Sequence, residues 1–361
     1  MEITKVTLKD FRNITNIDIN LGSGINIFYG SNAQGKTNFL ESLYICSTGR
    51  SHRTKYDREL IRFGEKEAHI RIYVKKANLS DRIDTHIKLN EKKGIAVNGI
   101  PIKKSRELFG TLYTVIFSPE DLQLIKNAPS ERRKFMDIQL AQINPIYCNA
   151  LSQYYRILKQ RNNLLKNIQK NRKLKETLFV WDSQLVKYGI KIIEERQRFI
   201  KKISEISGLR HEFITDNKEK LSVSYKPDVS VNDFKEKLQN SIERDIISGT
   251  TNCGPHRDDI NFIVDGNDVK IYGSQGQQRT ASLSAKLAQI DIIESETNQK
   301  PVLLLDDVLS ELDEKRQHCL MECISNIQTI ITCTGIEDTV KKYSGNAKIF
   351  RVENGNIISE S

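Results

Sequence analysis

No stretch of this 361-residue chain approaches the ~20 consecutive apolar residues that a helix needs to cross a bilayer. Its first residues, Met1-Glu2-Ile3-Thr4-Lys5, lack the apolar block of a secretory signal. Cysteine is sparse and scattered. The six residues (Cys46, Cys148, Cys253, Cys319, Cys323, Cys333) form no Cys-x-x-Cys pair, which argues against a zinc ribbon or a thioredoxin-like centre. Cys319 and Cys323, four apart, share a helix face as small core residues more readily than as a metal or redox pair. There is no internal repeat and no low-complexity linker. These absences predict a protein that is neither membrane-spanning nor secreted and that works in a reducing compartment, the cytoplasm.

Acidic residues also fall short. Against 56 Lys and Arg stand 46 Asp and Glu, a net charge of +10. The surplus favours an anionic partner, nucleic acid or an anionic membrane surface, and says nothing about fold. With 38% apolar residues the chain can build a packed core, and its length allows two or three domains.

The first hundred residues read as strands. Ile3, Val6, Leu8 and Phe11 begin one; Ile14, Ile17, Ile19 and Leu21 alternate with polar residues; Ile25 to Tyr29 is a short apolar run. A helix is predicted from Lys36 to Cys46, and Asn98-Gly99 between apolar stretches predicts a hairpin. Near residue 119 the pattern changes. Leu151, Tyr155, Leu158, Leu165 and Ile168, then Trp181, Leu185, Tyr188, Ile192, Phe199 and Ile203, recur at helical spacing and predict two antiparallel helices joined by a turn. From Arg156 to Lys175 there are eight basic residues and no acidic one. Such a run is either a solvated helix face or a nucleic-acid contact. Strand patterns return near residue 245. Ile260–Val264 and Val269–Tyr272 flank Asp265-Gly266-Asn267 as a hairpin, and a helix is predicted from Thr280 to Glu296. Pro301–Leu305 and Ile327–Thr332 are buried parallel-strand runs, and a closing hairpin turns at Asn354-Gly355. Strand-and-helix segments at both ends bracket a helical insert.

Gly30-Ser31-Asn32-Ala33-Gln34-Gly35-Lys36-Thr37 satisfies the P-loop pattern G-x-x-x-x-G-K-[ST] between an apolar strand and a helix. The glycines let successive backbone N–H groups turn inward as an anion nest, and the helix N-terminus adds a positive dipole end. Lys36 places a point charge on the β- and γ-phosphates, and the Thr37 hydroxyl ligates Mg²⁺. The bland alternative is a glycine turn before an amphipathic helix. Leu303-Leu304-Leu305-Asp306-Asp307 is an apolar strand ending in carboxylates, where ligands sit in α/β sheets. Asp306 is the partner for Mg²⁺, and Asp307 is placed to orient or activate the attacking water.

Ser274-Gln275-Gly276-Gln277 lies upstream of Asp306, and Ser310-Glu311-Leu312-Asp313 follows Asp307. The order of P-loop, long insert, Ser-x-Gly-Gln, apolar-Asp-acid and Ser-x-Leu-Asp resembles the heads of ABC-type ATPases. The insert is too short for the coiled-coil arms of SMC-type heads, and no transporter-like coupling segment is evident. Three further segments are similar to the bacterial RecF family: Leu8–Asn13; Ile116-Phe117-Ser118-Pro119-Glu120-Asp121-Leu122 with Arg132–Asp137; and Gly254-Pro255-His256-Arg257-Asp258-Asp259. The resemblance runs from residue 1 to the C-terminus.

That resemblance implies an α/β fold, an ABC-type ATPase head (P-loop sheet, helices and an antiparallel β-subdomain) with an inserted α-helical lobe. Residues 1–118 with 245–361 form the ATPase lobe, and 119–244 the insert. It implies ATP and Mg²⁺ as ligands, an ATP-dependent homodimer, and slow, DNA-stimulated hydrolysis. It further implies binding to double-stranded DNA and to single-/double-strand junctions, no membrane partner, and work with RecO and RecR in loading recombinase at gaps. Replication restart and the SOS response belong to the same picture. Gly30 to Thr37 match the nucleotide loop, and Asp306 the magnesium-associated acid. Asp307 stands where many relatives carry Glu, one methylene longer. Ser274, Gly276 and Gln277 match a signature offered to the γ-phosphate held by a second copy, with Gln275 replacing the usual first Gly. Arg12 and Asn13 match residues that approach the phosphates. No Gln ends the strand before the insert, near Ser118, and Thr334 stands where a switch His is expected. His256 reads as a buried or capping histidine rather than a base.

Two other classes fit part of the pattern. A transporter's nucleotide-binding subunit shares the ATP sandwich and needs a membrane partner. A P-loop kinase shares the loop and has no use for a signature donated by a second copy.

Overall fold

The computed structural model describes residues 1–76, 79–335 and 347–359. In chain order the strands are β1 (Glu2–Phe11), β2 (Ile14–Asn20), β3 (Ile25–Tyr29), β4 (Glu67–Lys76), β5 (Leu79–Lys88), β6 (Gly94–Val97), β7 (Ile100–Pro101) and β8 (Thr114–Phe117). After them come β9 (Leu221–Lys226), β10 (Asp259–Val264), β11 (Asn267–Asp268), β12 (Val302–Asp306), β13 (Thr329–Cys333), β14 (Lys348–Glu353) and β15 (Asn356–Ser359). The helices are α1 (Lys36–Thr48), α2 (Gln123–Lys126), α3 (Pro129–Ile143), α4 (Pro145–Lys170), α5 (Leu178–Thr215), α6 (Phe234–Asn240), α7 (Ile242–Ser248), α8 (Val269–Tyr272), α9 (Gln275–Thr297) and α10 (Glu314–Ile324). The chain divides into two compact units, Met1–Asp121 with Gln289–Ser361, and Leu122–Ala288.

The first unit holds two six-stranded sheets. One is antiparallel, in the order β2-β1-β4-β5-β6-β7. Its strands alternate, as in β4, where Ala68, Ile70, Ile72 and Val74 are buried between exposed or half-buried neighbours. One face therefore packs and the other is open. The other sheet, β15-β14-β3-β13-β12-β8, is parallel apart from the β14–β15 hairpin. β8, β12 and β13 are buried at every residue, which is why they read as unbroken apolar runs. α1 contacts strands of both sheets. It is buried on nearly every face, polar Glu41, Ser42, Ser47 and Thr48 included. The predicted hairpins form at Asn98-Gly99 and Asn354-Gly355, all four residues having positive φ as a two-residue turn requires.

In the second unit α4 and α5 pack along each other, joined by a 3₁₀ segment, Arg172–Thr177. The unit is not wholly helical: β11-β10-β9 forms a small antiparallel sheet. With that sheet the compact units part at a different place from the expected lobes. The expectation places the segment from residue 245 in the ATPase lobe, whereas β10 pairs along its whole length with β9 and 245–288 clusters with the second unit. Residues 77–78, 336–346 and 360–361 of that expected lobe lie outside the described residues. A correction concerns Val269–Tyr272, predicted as a strand. After the Asp265-Gly266 turn only Asn267 and Asp268 pair, and the Asp268 side chain then accepts the Lys270 N–H, capping a helical turn.

Candidate functional site

The P-loop leaves β3 and enters α1. Gly30 has φ 156° and a Cβ there would meet the Val352 carbonyl at 2.3 Å. Gly35, the N-cap of α1, has φ 114°, and a Cβ would meet Asn13 Oδ1 at 2.8 Å. Both positions therefore require glycine. Ser31, Asn32 and Ala33 form the exposed rim, whereas Gly35 and Lys36 are buried. Lys36 Nζ donates to the carbonyls of Gly30 at 2.6 Å and Ser31 at 3.0 Å, so the ammonium is drawn into the loop itself.

Two turns brace this loop. The two-residue turn Arg12-Asn13 joins β1 to β2, and Asn13 accepts from Asn38 Nδ2 at 2.8 Å and donates to the Ala33 carbonyl at 3.4 Å. From the other hairpin, the Gly355 N–H donates to the Gln34 carbonyl at 3.0 Å, and Asn354 N–H reaches the Gln34 side chain. A Cβ at Gly355 would strike the Asn13 carbonyl at 2.2 Å. Asn13 thus stands at the loop as expected. Arg12 does not present a free guanidinium: Nε and a terminal nitrogen grip both oxygens of Glu41 at 3.0 and 2.8 Å, and the remaining nitrogen takes the Glu59 carbonyl. Burial pushes the Glu41 pKa up, but hydrogen bonds from Arg12 and Ser51 and the charges of Arg12 and Arg53 leave it below the usual carboxylate value. Sequence reasoning missed Glu41. Its signal was a carboxylate inside the apolar Asn38–Cys46 stretch.

Asp306 ends β12, two strands from β3. Its Oδ1 accepts from Thr37 Oγ1 at 2.8 Å and from Thr332 Oγ1 at 2.9 Å. Burial raises its pKa, the two hydroxyls oppose the rise, and the charges of Asp307 and Glu120 add to it. A buried carboxylate and a hydroxyl in contact, both oxygen donors, suit a hard divalent cation such as Mg²⁺. Asp307, next along, lies at φ 51°, with its N–H on Thr332. Thr332 was also missed; as the register partner of Asp306 it follows from the parallel pairing alone. Ser118 follows β8, its N–H on the Asp121 carboxylate, and Thr334 follows β13.

Ser274, Gly276 and Gln277 belong to the second unit. Ser274 Oγ accepts the Gln277 N–H at 3.2 Å while Gln277 Oε1 accepts the Ser274 N–H at 3.0 Å, a reciprocal capping box that opens α9. Gln277 Nε2 also holds Glu219 at 3.0 Å, and the other Glu219 oxygen meets buried His211, whose second ring nitrogen meets Ser284. Ser274 itself is exposed.

Within the Gly254–Asp259 segment, Asp258 is buried. It takes Arg196 at 2.8 Å, the Tyr225 hydroxyl and the Asp228 N–H, while Asp259 pairs with Arg132. His256 Nε2 donates to the Thr251 carbonyl at 3.1 Å, leaving Nδ1 to accept from Tyr154 at 2.7 Å. These side chains knot the second unit together. The basic run is not a uniform surface either. Arg161 is buried against Asp182 and Asp245, and Arg172 and Lys175 pair with Glu243. Arg156, Lys159, Lys166, Lys170 and Lys173 remain exposed.

No helix among the described residues is long and apolar enough to cross a membrane. The family described as RecF/RecN/SMC N terminal domain matches residues 2–358. The chain is 52% identical, over all of both sequences, to the DNA replication and repair protein RecF of Lachnospira eligens. A solved structure of the recombination mediator protein RecF-ATP in the RecFOR pathway superposes with a TM-score of 0.93 at 35% identity, over 99% of this chain and 97% of that one. An Smc head domain from Pyrococcus furiosus, at 16% identity and a TM-score of 0.58, shares the fold. With a P-loop sheet of this topology and end-to-end identity to such relatives, the chain belongs to the RecF family.

Proposed function

We propose that the chain is a DNA-binding ATPase of the cytoplasm that acts as an ATP-gated dimeric clamp in DNA replication and recombinational repair. The observation that carries this reading is the Thr37–Asp306 contact at the mouth of a P-loop whose lysine is already drawn inward. Backbone N–H groups of Gly30 to Thr37 hold the β- and γ-phosphates, and Lys36 exchanges its two loop carbonyls for phosphate oxygens. Thr37 and Asp306 are the residues to hold Mg²⁺, which supplies charge neutralisation at the phosphates. Asp307 orients the attacking water. Ser274 of one copy has its oxygen on the Gln277 N–H, so its hydroxyl proton is left for the γ-phosphate bound by the other copy, and Gly276 adds its amide. Hydrolysis removes the group that joins the copies. Joined copies grip duplex backbone without reading bases, at single-/double-strand junctions, and with RecR and RecO help load recombinase at gaps. Turnover is slow and rises with DNA.

The test is light scattering during an ATP titration. Lys36→Met is expected to lose nucleotide binding by at least about a hundredfold, and dimerisation with it. Ser274→Arg is expected to bind ATP as the parent does and to stay monomeric. A Ser274→Arg chain that dimerises normally sinks the donated-signature role. A dilute single chain hydrolysing at full speed points instead to a self-contained transferase. The transporter reading predicts recovery with membranes and indifference to DNA.

A further inference from the structure

The open face of the antiparallel sheet carries a ligand set unrelated to the nucleotide loop. His69 on β4 and His86 on β5 are direct register partners, with Glu67 two residues before His69 on the same face. The imidazoles stack with centroids 4.0 Å apart and planes 21° apart. Both Nε2 atoms point at one carboxylate: His86 lies 3.0 Å from one Glu67 oxygen and His69 lies 3.4 Å from the other. All three ligand atoms fall within 4.8 Å of one another.

We propose that Glu67, His69 and His86 form a Zn²⁺ site that staples β4 to β5. Zinc bonds of about 2.0–2.2 Å in tetrahedral geometry put ligand atoms roughly 3.3–3.5 Å apart, close to the two nitrogen–carboxylate separations, and binding turns one imidazole out of the stack so that both ring planes contain the ion. Two imidazoles and one carboxylate select a borderline ion such as Zn²⁺ over Mg²⁺, which prefers an all-oxygen shell. His69 and His86 line a groove of about 450 Å³. His86 has Gly94 as its partner on the far side, so no side chain covers it there. On the near side His69 is paired with Lys9, whose charge disfavours a bound cation and lowers the affinity. Alternation on the strands holds the trio in place: Ala68, Ile70, Thr85 and Ile87 point into the core and fix Glu67, His69 and His86 outward.

The test is calorimetric titration of the full chain with ZnCl₂ in Mg²⁺ buffer, run beside His69→Asn/His86→Asn and Glu67→Gln. The paired titrations cancel metal taken up by the cysteines. The expected result is one equivalent bound with micromolar affinity, lost in the double variant and about tenfold weaker in Glu67→Gln. Equal stoichiometry and affinity in parent and double variant overturns the site. Unchanged ATP affinity shows that the variants fold. A second measurement needs no variant: Zn²⁺, and not Mg²⁺, protects His69 and His86 from carbethoxylation mapped by mass spectrometry. Equal labelling with and without Zn²⁺ overturns the site as well.

Discussion

Asp307 lies at φ 51°, in the left-handed region, directly after the last residue of β12. Asp and Asn tolerate that conformation better than longer side chains because their short polar groups satisfy neighbouring backbone. The turn therefore favours Asp at a position where, on the proposed role, a Glu would carry its carboxylate one methylene further toward the attacking water. Two effects of Asp307→Glu oppose each other. Single-turnover hydrolysis is expected to accelerate, and the urea midpoint to fall by the equivalent of about 1 kcal/mol. No acceleration means that the missing methylene does not limit the rate. The Glu41–Arg12 pair acts at the same scale. By occupying Arg12 it leaves Lys36 as the cation drawn into the loop.

At the scale of elements, α9 begins with a cap that extends into the body of its unit. The Ser274–Gln277 box, Glu219, His211 and Ser284 form one chain of hydrogen bonds, so the exposed serine is positioned from a buried imidazole. Burial lowers the pKa of His211, with Glu219 opposing, and burial likewise lowers that of His256. The unfolded chain then takes up protons that the folded one resists, so stability is full above the unfolded value of 6.5 and falls as pH drops below it. The melting temperature is expected to decline from pH 7 toward pH 5, and His211→Gln to flatten the decline. An unchanged slope in that variant assigns the effect elsewhere. α5 meets the same unit through Gly189, where a Cβ would stand 2.3 Å from the Phe234 ring. The helix accepts a glycine there to let Phe234 and Tyr154 close in.

Over the whole molecule, charge is divided unevenly. Leu122–Ala288 contains 29 Lys and Arg against 19 Asp and Glu, and the other unit has 27 of each, so the entire net charge of +10 belongs to the second unit. A polyanion is expected to bind there. Lys159, Lys166 and Lys170 are exposed and lie along one face of α4. Replacing all three with Glu is expected to weaken duplex binding by at least about tenfold at moderate salt. It should also lower the slope of log affinity against log salt by roughly one unit per lost phosphate contact. A slope equal to the parent's places the contact on other residues. Nucleotide binding should not change, because the P-loop lies in the other unit.

The P-loop, Asp306, the parallel strands and the two Asn-Gly hairpins were all legible in the sequence. Each rests on local chemistry: a glycine that φ demands, an apolar run that a doubly covered strand demands, a lysine at fixed spacing. The contacts that sequence reasoning missed are those made between separate elements of the fold. Glu41 takes Arg12 from 29 residues away, Thr332 takes Asp306 from 26, and Gly355 closes on Asn13 from the far end of the chain, each beyond the reach of helix or strand periodicity. The grouping of 245–288 with the second unit was illegible for the same reason, since β10 owes its place to pairing with β9. A single sequence determines what each residue can donate, accept or bury. Which groups meet is decided by strand order and register, and those are properties of the folded chain alone.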